Sequence, residues 1–297
     1  MHNYPIVSVI MSVYNGERYV KSAIDSILNQ TFQDFEFIIV DDASTDRTYE
    51  ILQRYADDRI CILRNKTNKG LTKNLNMLLK LSRGMYIARM DADDISFPER
   101  FMRQVDFLNK NKDIYLISCS YREFGSRYGK NIIKLNENEI KVQFLFGSVL
   151  PHPGFMFRKE LIDTYHIFYN QEMKYAQDYD FQVRVSRRFH IACLPQILLY
   201  YRISLEQISE NKSQEQKVYA NQVRYKVFRE YGIPCSMKQV EVLSKLYYGK
   251  DFLSLSECVT FLRLILLVCR VVYKNENRES QLILSKLLEY VSKIKGV

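Results

Sequence analysis

Several residue types and motifs that mark common protein classes are scarce in this sequence. Its 297 residues include only 10 glycines and 6 prolines, and tryptophan is absent. The low glycine and proline content excludes collagen-like, linker-rich and glycine-rich repeat proteins. A hydrophobic fraction of 47% excludes a wholly disordered chain. The length predicts a globular protein with one large domain, or a catalytic domain with a smaller appendage.

The six cysteines form no pattern typical of a metal or disulfide site. They lie far apart, at Cys61, Cys119, Cys193, Cys235, Cys258 and Cys269. No two of them stand in a C-x-x-C motif, which argues against zinc, and their spacing does not indicate a disulfide framework. The first residues also lack the basic and apolar segments of a secretory signal. We therefore expect reduced thiols and a cytoplasmic protein.

The first half of the chain alternates between strand-like and helix-like patterns. Short apolar runs predict strands at 7–11, 35–40, 60–63 and 85–90. Helical spacing of apolar residues lies between these runs, which predicts βαβ units and a parallel sheet. Ligands of such sheets bind beyond the carboxyl ends of the strands, so the loops after Met11, Val40 and Met90 form the candidate site.

Glycine-rich phosphate-binding motifs are absent from these loops. Gly16 is the only glycine in the first of them, so the G-x-G-x-x-G fingerprint of NAD-binding proteins is missing. The P-loop motif G-x-x-x-x-G-K-[ST] does not occur either. A nucleotide bound at this edge of the sheet would be held mainly by side chains and a metal ion.

Carboxylates follow two of the predicted strands. Asp41 and Asp42 end the second strand, and Asp91, Ala92, Asp93 and Asp94 follow the fourth. Carboxylates at two strand ends repel one another unless a cation lies between them. If the chain stays extended, Asp91 and Asp93 point to one side and can hold Mg²⁺ or Mn²⁺ with positions open for a diphosphate. Solvated turn aspartates are the alternative interpretation.

Asp178 is a candidate general base. It shares a helical face with Phe181 and Val185, whereas Asp180 lies on another face with Arg184 and is expected to face solvent. A partly desolvated carboxylate suits proton abstraction. A helix N-terminal carboxylate stabilised by the helix dipole is the alternative interpretation of Asp178.

Four motifs together resemble the family 2 glycosyltransferases. They are Val7 to Asn15, Val40 to Asp46, Asn68 to Gly70, and Asp91 to Asp94 followed by Pro98-Glu99-Arg100. The resemblance covers about residues 5–205 and implies the GT-A fold, an α/β architecture in which a Rossmann-like, mostly parallel sheet is flanked by helices. We expect a nucleotide-sugar glycosyltransferase domain over 1–205 and an α-helical extension over 206–297.

The resemblance also implies a role for particular residues. Tyr14 would contact the donor base, Asp42 would contact the uracil ring, and Asn68 and Lys73 would lie along the nucleotide. Asp91 would contact ribose or metal, and Asp93 would bind the divalent cation. Asp178 would be the catalytic base. The implied reaction passes a hexosyl or N-acetylhexosaminyl group, with inversion, from a UDP-sugar to a hydroxyl of a glycan or lipid-linked acceptor of the bacterial cell envelope. The metal would be Mn²⁺ or Mg²⁺. Lys73, Gln177 and Ser204 depart from the usual Arg, Glu and His of the family.

Two other functions remain open from the residues alone. A phosphohydrolase with Asp91 as nucleophile usually has an Asp-Gly-Thr continuation, whereas here Asp94 and Ile95 follow Asp93. A nucleotide-binding protein without catalysis is the second alternative, and the presence of both Asp93 and Asp178 argues against it.

The apolar spacing in the last third of the chain predicts helices at 212–231, 236–248, 254–273 and 278–295. Residues 200–297 carry 16 basic and 10 acidic side chains. Only about 15 residues of the helix at 254–273, from Val259 to Tyr273, are apolar-rich, and they include Arg263 and Arg270, which argues against a transmembrane span. It is either buried in a small bundle or lies in a membrane interface. The basic surplus favours peripheral contact with the inner face of the cytoplasmic membrane, and the motifs leave no role for nucleic acid.

Overall fold

The computed structural model describes residues 4–204, 213–248, 253–275 and 278–291. Within them the chain forms two compact units. The first unit contains the described residues of 1–134, 150–172 and 184–211, and the second those of 135–149, 173–183 and 212–297. Each unit therefore combines segments that are distant in sequence. The boundary expected at residue 205 stays a prediction, because residues 205–212 lie outside the described part of the chain.

The first unit is built on a nine-stranded sheet. Its strands are β1 (Val7–Val13), β2 (Phe35–Asp41), β3 (Ile60–Arg64), β4 (Tyr86–Arg89), β5 (Ile95–Ser96), β6 (Ile114–Gly125), β7 (Gly129–Asn131), β8 (Met156–Arg158) and β9 (His190–Ile203). They are ordered β3-β2-β1-β4-β8-β6-β9-β5, and β7 pairs with β6 outside this path. The helices of this unit are α1 (Val20–Leu28), α2 (Thr48–Leu52), α3 (Leu71–Leu81), α4 (Arg100–Lys110) and α6 (Glu160–Asp163).

The parallel arrangement predicted for the first four strands is confirmed. β2 pairs in parallel with β1 and β3, and β4 pairs in parallel with β1. The later strands make the sheet mixed, because β8 lies antiparallel between β4 and β6. β2 is buried along its whole length and β1 along nearly all of it, as expected of strands covered on both faces. The predicted α/β sheet flanked by helices is thus the architecture observed.

The second unit is helical. It contains α5 (Glu137–Gln143), the first residues of α7 (Gln177–Ser186), α8 (Ser213–Glu230), α9 (Met237–Tyr248), α10 (Leu255–Asn275) and α11 (Arg278–Val291). The four C-terminal helices match the predicted ranges to within two residues at each described end, and residues 212 and 292–295 lie outside the described residues. No helix among the residues described has the length and hydropathy that a membrane crossing requires.

A buried arginine ties α8 to the earlier segments of this unit. Arg224 is fully buried, and its Nε donates to the Phe146 carbonyl oxygen at 2.6 Å. Its guanidinium carbon lies 6.0 Å from the ring centroid of Tyr179, whose hydroxyl donates to the carbonyl of Phe144. These contacts join the C-terminal helices to residues 144–146 and to the start of α7, which explains why those segments belong to the same unit.

Candidate active site

The loops after β1, β2 and β4 lie at one edge of the sheet. Val13 is paired with Asp41, and Ile10 with Arg89, so the three strands end side by side. The amide of Met90 donates to the Ile10 carbonyl at 3.1 Å. A β-carbon added to Gly16 would come within 4.0 Å of the Ala92 β-carbon, so the first and third loops are in close approach. The sheet topology therefore brings the three predicted loops together at one edge of the sheet.

The loop after β1 is bonded to the loop after β2. The Asn15 amide donates to Ser44 Oγ at 2.9 Å, and Asn15 Oδ1 accepts from the Thr45 amide at the same distance. Asn15 has a φ of 50°, in the left-handed region that asparagine tolerates better than most residues. Next to it, the side chain of Tyr14 remains 51% exposed at the edge of the sheet. The loop thus presents an aromatic ring on a fixed backbone.

Asp42 holds the segment that follows β3. Its Oδ1 accepts from Asn65 Nδ2 at 2.7 Å and from the Lys69 amide at 2.8 Å, and its Oδ2 accepts from the Gly70 amide at 2.8 Å. Asn74 connects the same cluster to β1, because it accepts from Asn65 and donates to Ser12. Burial raises the pKa of Asp42, but hydrogen bonds from Lys69, Asn65, Asn74 and Gly70 outweigh it and leave that pKa below its usual value.

Asn68 and Lys73 lie on the segment that Asp42 holds. Both side chains are exposed, Asn68 just before the Lys69 amide and Lys73 in the first turn of α3. Gly70 precedes that turn with a φ of 84°, which a residue with a side chain rarely adopts. The structure therefore places both predicted nucleotide contacts on one positioned segment.

The acidic loop after β4 is not extended. Ala92 and Asp93 form a turn, so the geometry expected of an extended Asp-x-Asp pair does not persist. Arg89, fully buried on β4, forms an ion pair with the carboxylate of Asp91. Arg202 on β9 donates from Nε to the Asp93 carbonyl and from its backbone amide to Asp94 Oδ1, each at 2.7 Å. Two arginines thus hold the loop from opposite ends.

The loop places the three carboxyl groups of Asp91, Asp93 and Asp94 beside these two arginines. Asp94 is buried, and its Oδ2 has no hydrogen-bond partner among the described residues. Burial raises the pKa of Asp94 well above its usual value, and the charges of Asp93 and Asp91 raise it further. The described residues contain no group of three or more acidic, histidine or cysteine side chains placed to hold a metal. Because Mg²⁺ commonly uses one or two carboxylates together with substrate phosphates, the acidic loop fits such an ion.

Sequence reasoning did not predict the roles of Arg89 and Arg202. Arg89 is a charged residue inside a buried apolar strand, and this pattern by itself signals a specific partner. Arg202 also packs over the rings of Tyr19 and Phe124, with its guanidinium carbon 3.9 and 4.3 Å from the two centroids. Nothing in the local sequence of Arg202 indicates its long-range partners.

Asp178 belongs to the second unit and lies in the first turn of α7. Its side chain is partly exposed, and Ser148 Oγ donates to its Oδ2 at 3.4 Å. Gln182 Nε2 in turn donates to Ser148 Oγ at 2.7 Å. The expectation that Asp180 faces solvent is wrong, because that residue is only 5% exposed. Helical periodicity predicts a solvated face for α7, whereas residues 179–183 of this helix are all buried.

Comparison with solved structures identifies the class of fold. Staphylococcus aureus TarS 1–349 in complex with UDP-GlcNAc aligns with a TM-score of 0.65 at 19% identity, covering 97% of this chain and 87% of that chain. A mannosyltransferase, PcManGT from Pyrobaculum calidifontis in complex with GDP-Man and Mn²⁺, aligns with a TM-score of 0.61 at 14% identity, covering 98% and 86%. The fold is that of the GT-A glycosyltransferases, as the motifs implied.

Sequence comparison then shows the family. The model of Glycosyl transferase family 2 matches residues 8–165. An uncharacterized glycosyltransferase of Haemophilus influenzae is 35% identical over 238 residues, which cover 75% of this chain and 73% of that protein. The Escherichia coli UDP-Glc:alpha-D-GlcNAc-diphosphoundecaprenol beta-1,3-glucosyltransferase WfaP is 27% identical over 71% of this chain and 82% of its own. The chain belongs to glycosyl transferase family 2, and the prediction of a glycosyltransferase is confirmed.

Proposed function

We propose that this glycosyltransferase moves a hexosyl or N-acetylhexosaminyl group from a UDP-sugar to a hydroxyl of a glycan or lipid-linked acceptor, with inversion. The observation that carries the proposal is the assembly of three loops at one sheet edge, where an exposed tyrosine, a loop-holding aspartate and an acidic loop lie together. The names of two similar proteins support it. WfaP is named for a UDP-Glc donor and a diphosphoundecaprenol acceptor, and TarS is bound to UDP-GlcNAc.

The donor nucleotide would lie along this edge. Tyr14 offers an exposed ring against which a base can stack. Asp42 would contact the uracil ring, and the hydrogen bonds that it accepts from Asn65 and from the Lys69 and Gly70 amides hold its carboxylate in place. Asn68 and Lys73 would follow the nucleotide, with Lys73 acting as a point charge where an arginine would bind phosphate in a bidentate manner.

Asp93 would hold the divalent metal, Mn²⁺ or Mg²⁺. Asp91 would contact either the ribose of the donor or the same metal ion. The bound ion would supply charge neutralisation to the departing diphosphate. Asp93 is the metal ligand that the family motif implies, and Arg89 pairs with the neighbouring Asp91. This pairing also argues against the phosphohydrolase alternative, since it engages the carboxylate that would have to act as nucleophile.

Asp178 would accept the proton of the acceptor hydroxyl as that oxygen attacks the anomeric carbon. Attack from the side opposite the leaving diphosphate inverts the configuration and needs no covalent intermediate. The partial exposure of Asp178 leaves it accessible to an acceptor, and the Ser148 hydroxyl restrains its orientation. The reaction would take place in the cytoplasm, at the inner face of the cytoplasmic membrane when the acceptor is lipid-linked, with the C-terminal helices in peripheral contact with the bilayer.

A nucleotide-sugar screen tests the proposal. Purified enzyme is incubated with single UDP- and GDP-sugars and Mn²⁺, and released nucleotide is measured. We expect slow hydrolysis of one UDP-sugar, loss of metal-dependent UDP binding in Asp93→Ala, and loss of transfer with retained UDP binding in Asp178→Asn. Asp113→Asn, an exposed aspartate at the amino end of β6, is the matched control. Full transfer activity in Asp178→Asn would refute the base assignment, and unchanged metal dependence in Asp93→Ala the metal assignment.

A further inference from the structure

Helix α10 carries an apolar stripe that no described residue of its own unit covers. Leu255, Val259, Leu262 and Leu266 are 84%, 43%, 53% and 60% exposed. Their spacing of four, three and four residues places them on one side of the helix, and we call them the outer stripe. At 1.5 Å per residue the stripe is about 16 Å long. Such a continuous row of exposed aliphatic side chains indicates a surface that contacts something apolar.

The opposite side of α10 is packed. Phe261, Leu264 and Val268 are fully buried, and Ile265 is 9% exposed. The helix lies against α9 and α11 in the second unit. The interpretation of a helix buried in a bundle therefore applies to this face of α10. Because the buried face fixes its rotation, the outer stripe is held facing outward.

The charges beside the stripe have one sign. Arg263 and Arg270 are exposed and seven residues apart, which places them together along one border of the stripe. The only acidic residue of α10 is Glu257. That carboxylate is paired with Lys245 on α9 and also accepts from the Ser254 amide at 2.8 Å. The outer face of α10 therefore combines apolar and cationic groups without an acidic side chain.

We propose that the outer stripe docks the enzyme on an anionic lipid bilayer, with α10 lying in the headgroup region. The four aliphatic side chains enter the acyl boundary, and Arg263 and Arg270 meet lipid phosphates. This inference rests on the proposed function, which includes peripheral membrane contact of the C-terminal helices, and it names the surface that makes that contact. A second copy of the chain fits less well. A two-fold interface on this face would bring the same arginines together, with no carboxylate of α10 to neutralise them.

Vesicle flotation with the full chain tests the docking surface. The vesicles contain phosphatidylglycerol and phosphatidylethanolamine, with phosphatidylcholine vesicles as the neutral reference. We expect the wild type to bind the anionic vesicles and Leu262→Ser/Leu266→Ser to bind them at least about tenfold more weakly, since two exposed leucines lose their burial in lipid. Arg263→Gln/Arg270→Gln should bind less tightly and with a weaker salt dependence. Leu81→Ser, a 46% exposed leucine of the first unit, is the matched control and should bind as the wild type does.

The outcomes separate this surface from the transferase activity. Hydrolysis of UDP-sugar without vesicles measures the donor site alone, and all three variants should retain it, because none of the changed residues belongs to that site. Wild-type binding by the double serine variant, or no binding of anionic vesicles by the wild type, would overturn the proposal. A wild-type dimer that this variant converts to a monomer, seen by sedimentation velocity, would also overturn it by showing that a second copy covers the stripe.

Discussion

Replacing Asp42 by asparagine is expected to loosen the segment on which the donor would lie. The carboxylate accepts from Asn65 and from the Lys69 amide on one oxygen and from the Gly70 amide on the other. An isosteric amide keeps a single oxygen, so its NH₂ group must face at least one of these donors. The change removes one hydrogen bond to a charged group, worth about 1.5–3 kcal/mol, and weakens the other two. We expect a total cost of about 2–4 kcal/mol in the free energy of unfolding of this region.

Hydrogen exchange and urea unfolding measure this cost. The Lys69 and Gly70 amides should exchange about 30-fold or more faster in Asp42→Asn, because 1.4 kcal/mol is a factor of ten in an equilibrium constant. The Michaelis constant for the donor should rise, since Asn68 and Lys73 follow the loosened segment. Asp58→Asn, an exposed aspartate, serves as the control. Unchanged exchange at both amides, or a stability loss below about 0.5 kcal/mol, would refute the reasoning.

The effect of this change also depends on pH. Because the folded-state pKa of Asp42 lies below its usual value, its stabilising contribution is complete above the unfolded-state pKa of about 3.9. The contribution is lost as the pH falls through the lower folded-state value. The stability difference between wild type and Asp42→Asn should therefore stay constant between neutral pH and about pH 5, and shrink below pH 4. A difference that grows on acidification would contradict this sign.

Substitutions at three further positions have defined outcomes. Gly84→Ala should destabilise the first unit by about 2 kcal/mol or more in urea unfolding, because its β-carbon would lie 2.5 Å from the backbone nitrogen of Ser8 on β1. Gly70→Ala should cost only about 1 kcal/mol by the same measurement, since its φ of 84° is unfavourable but no atom lies within 4 Å. Arg202→Met should lower Mn²⁺ affinity in the presence of UDP about tenfold, measured by electron paramagnetic resonance, because it frees the carbonyl of Asp93. Arg202→Lys should recover part of that affinity, and an unchanged affinity in Arg202→Met would show that this arginine does not position the loop.

The parallel half of the sheet could be predicted because its signals are local. β1, β2 and β4 are short, largely apolar runs with polar residues within two positions of their ends, and the positions where they end define the site edge. The three-residue strand β8 was not predictable, because its place between β4 and β6 depends on tertiary packing. The composition of so short a segment does not specify such packing.

The hydrogen-bond partners that position the site loops were harder to predict than the motif residues within those loops. Asp42 stands in a recognisable motif, but its hydrogen-bond partners lie 23 to 28 residues later in the chain. Arg202 contacts Asp93 and Asp94 across more than 100 residues. Hydrophobic periodicity carries no information about such polar contacts. It also misplaced Asp180, because it cannot distinguish a helix covered on several sides from one with a solvated face.

The bonds between the first two loops bear on how the specificity of this enzyme can change. Besides the contacts of Asn15 with Ser44 and Thr45, the Gly16 amide donates to Thr48 Oγ1 at 2.7 Å and the Glu17 amide to Asp46 at 3.0 Å. Residues 15–17 and 44–48 therefore shift as one body. A substitution in either loop that moves its backbone displaces the other loop as well. Variants with a new base preference should arise through paired substitutions, one in each loop, more readily than through single ones.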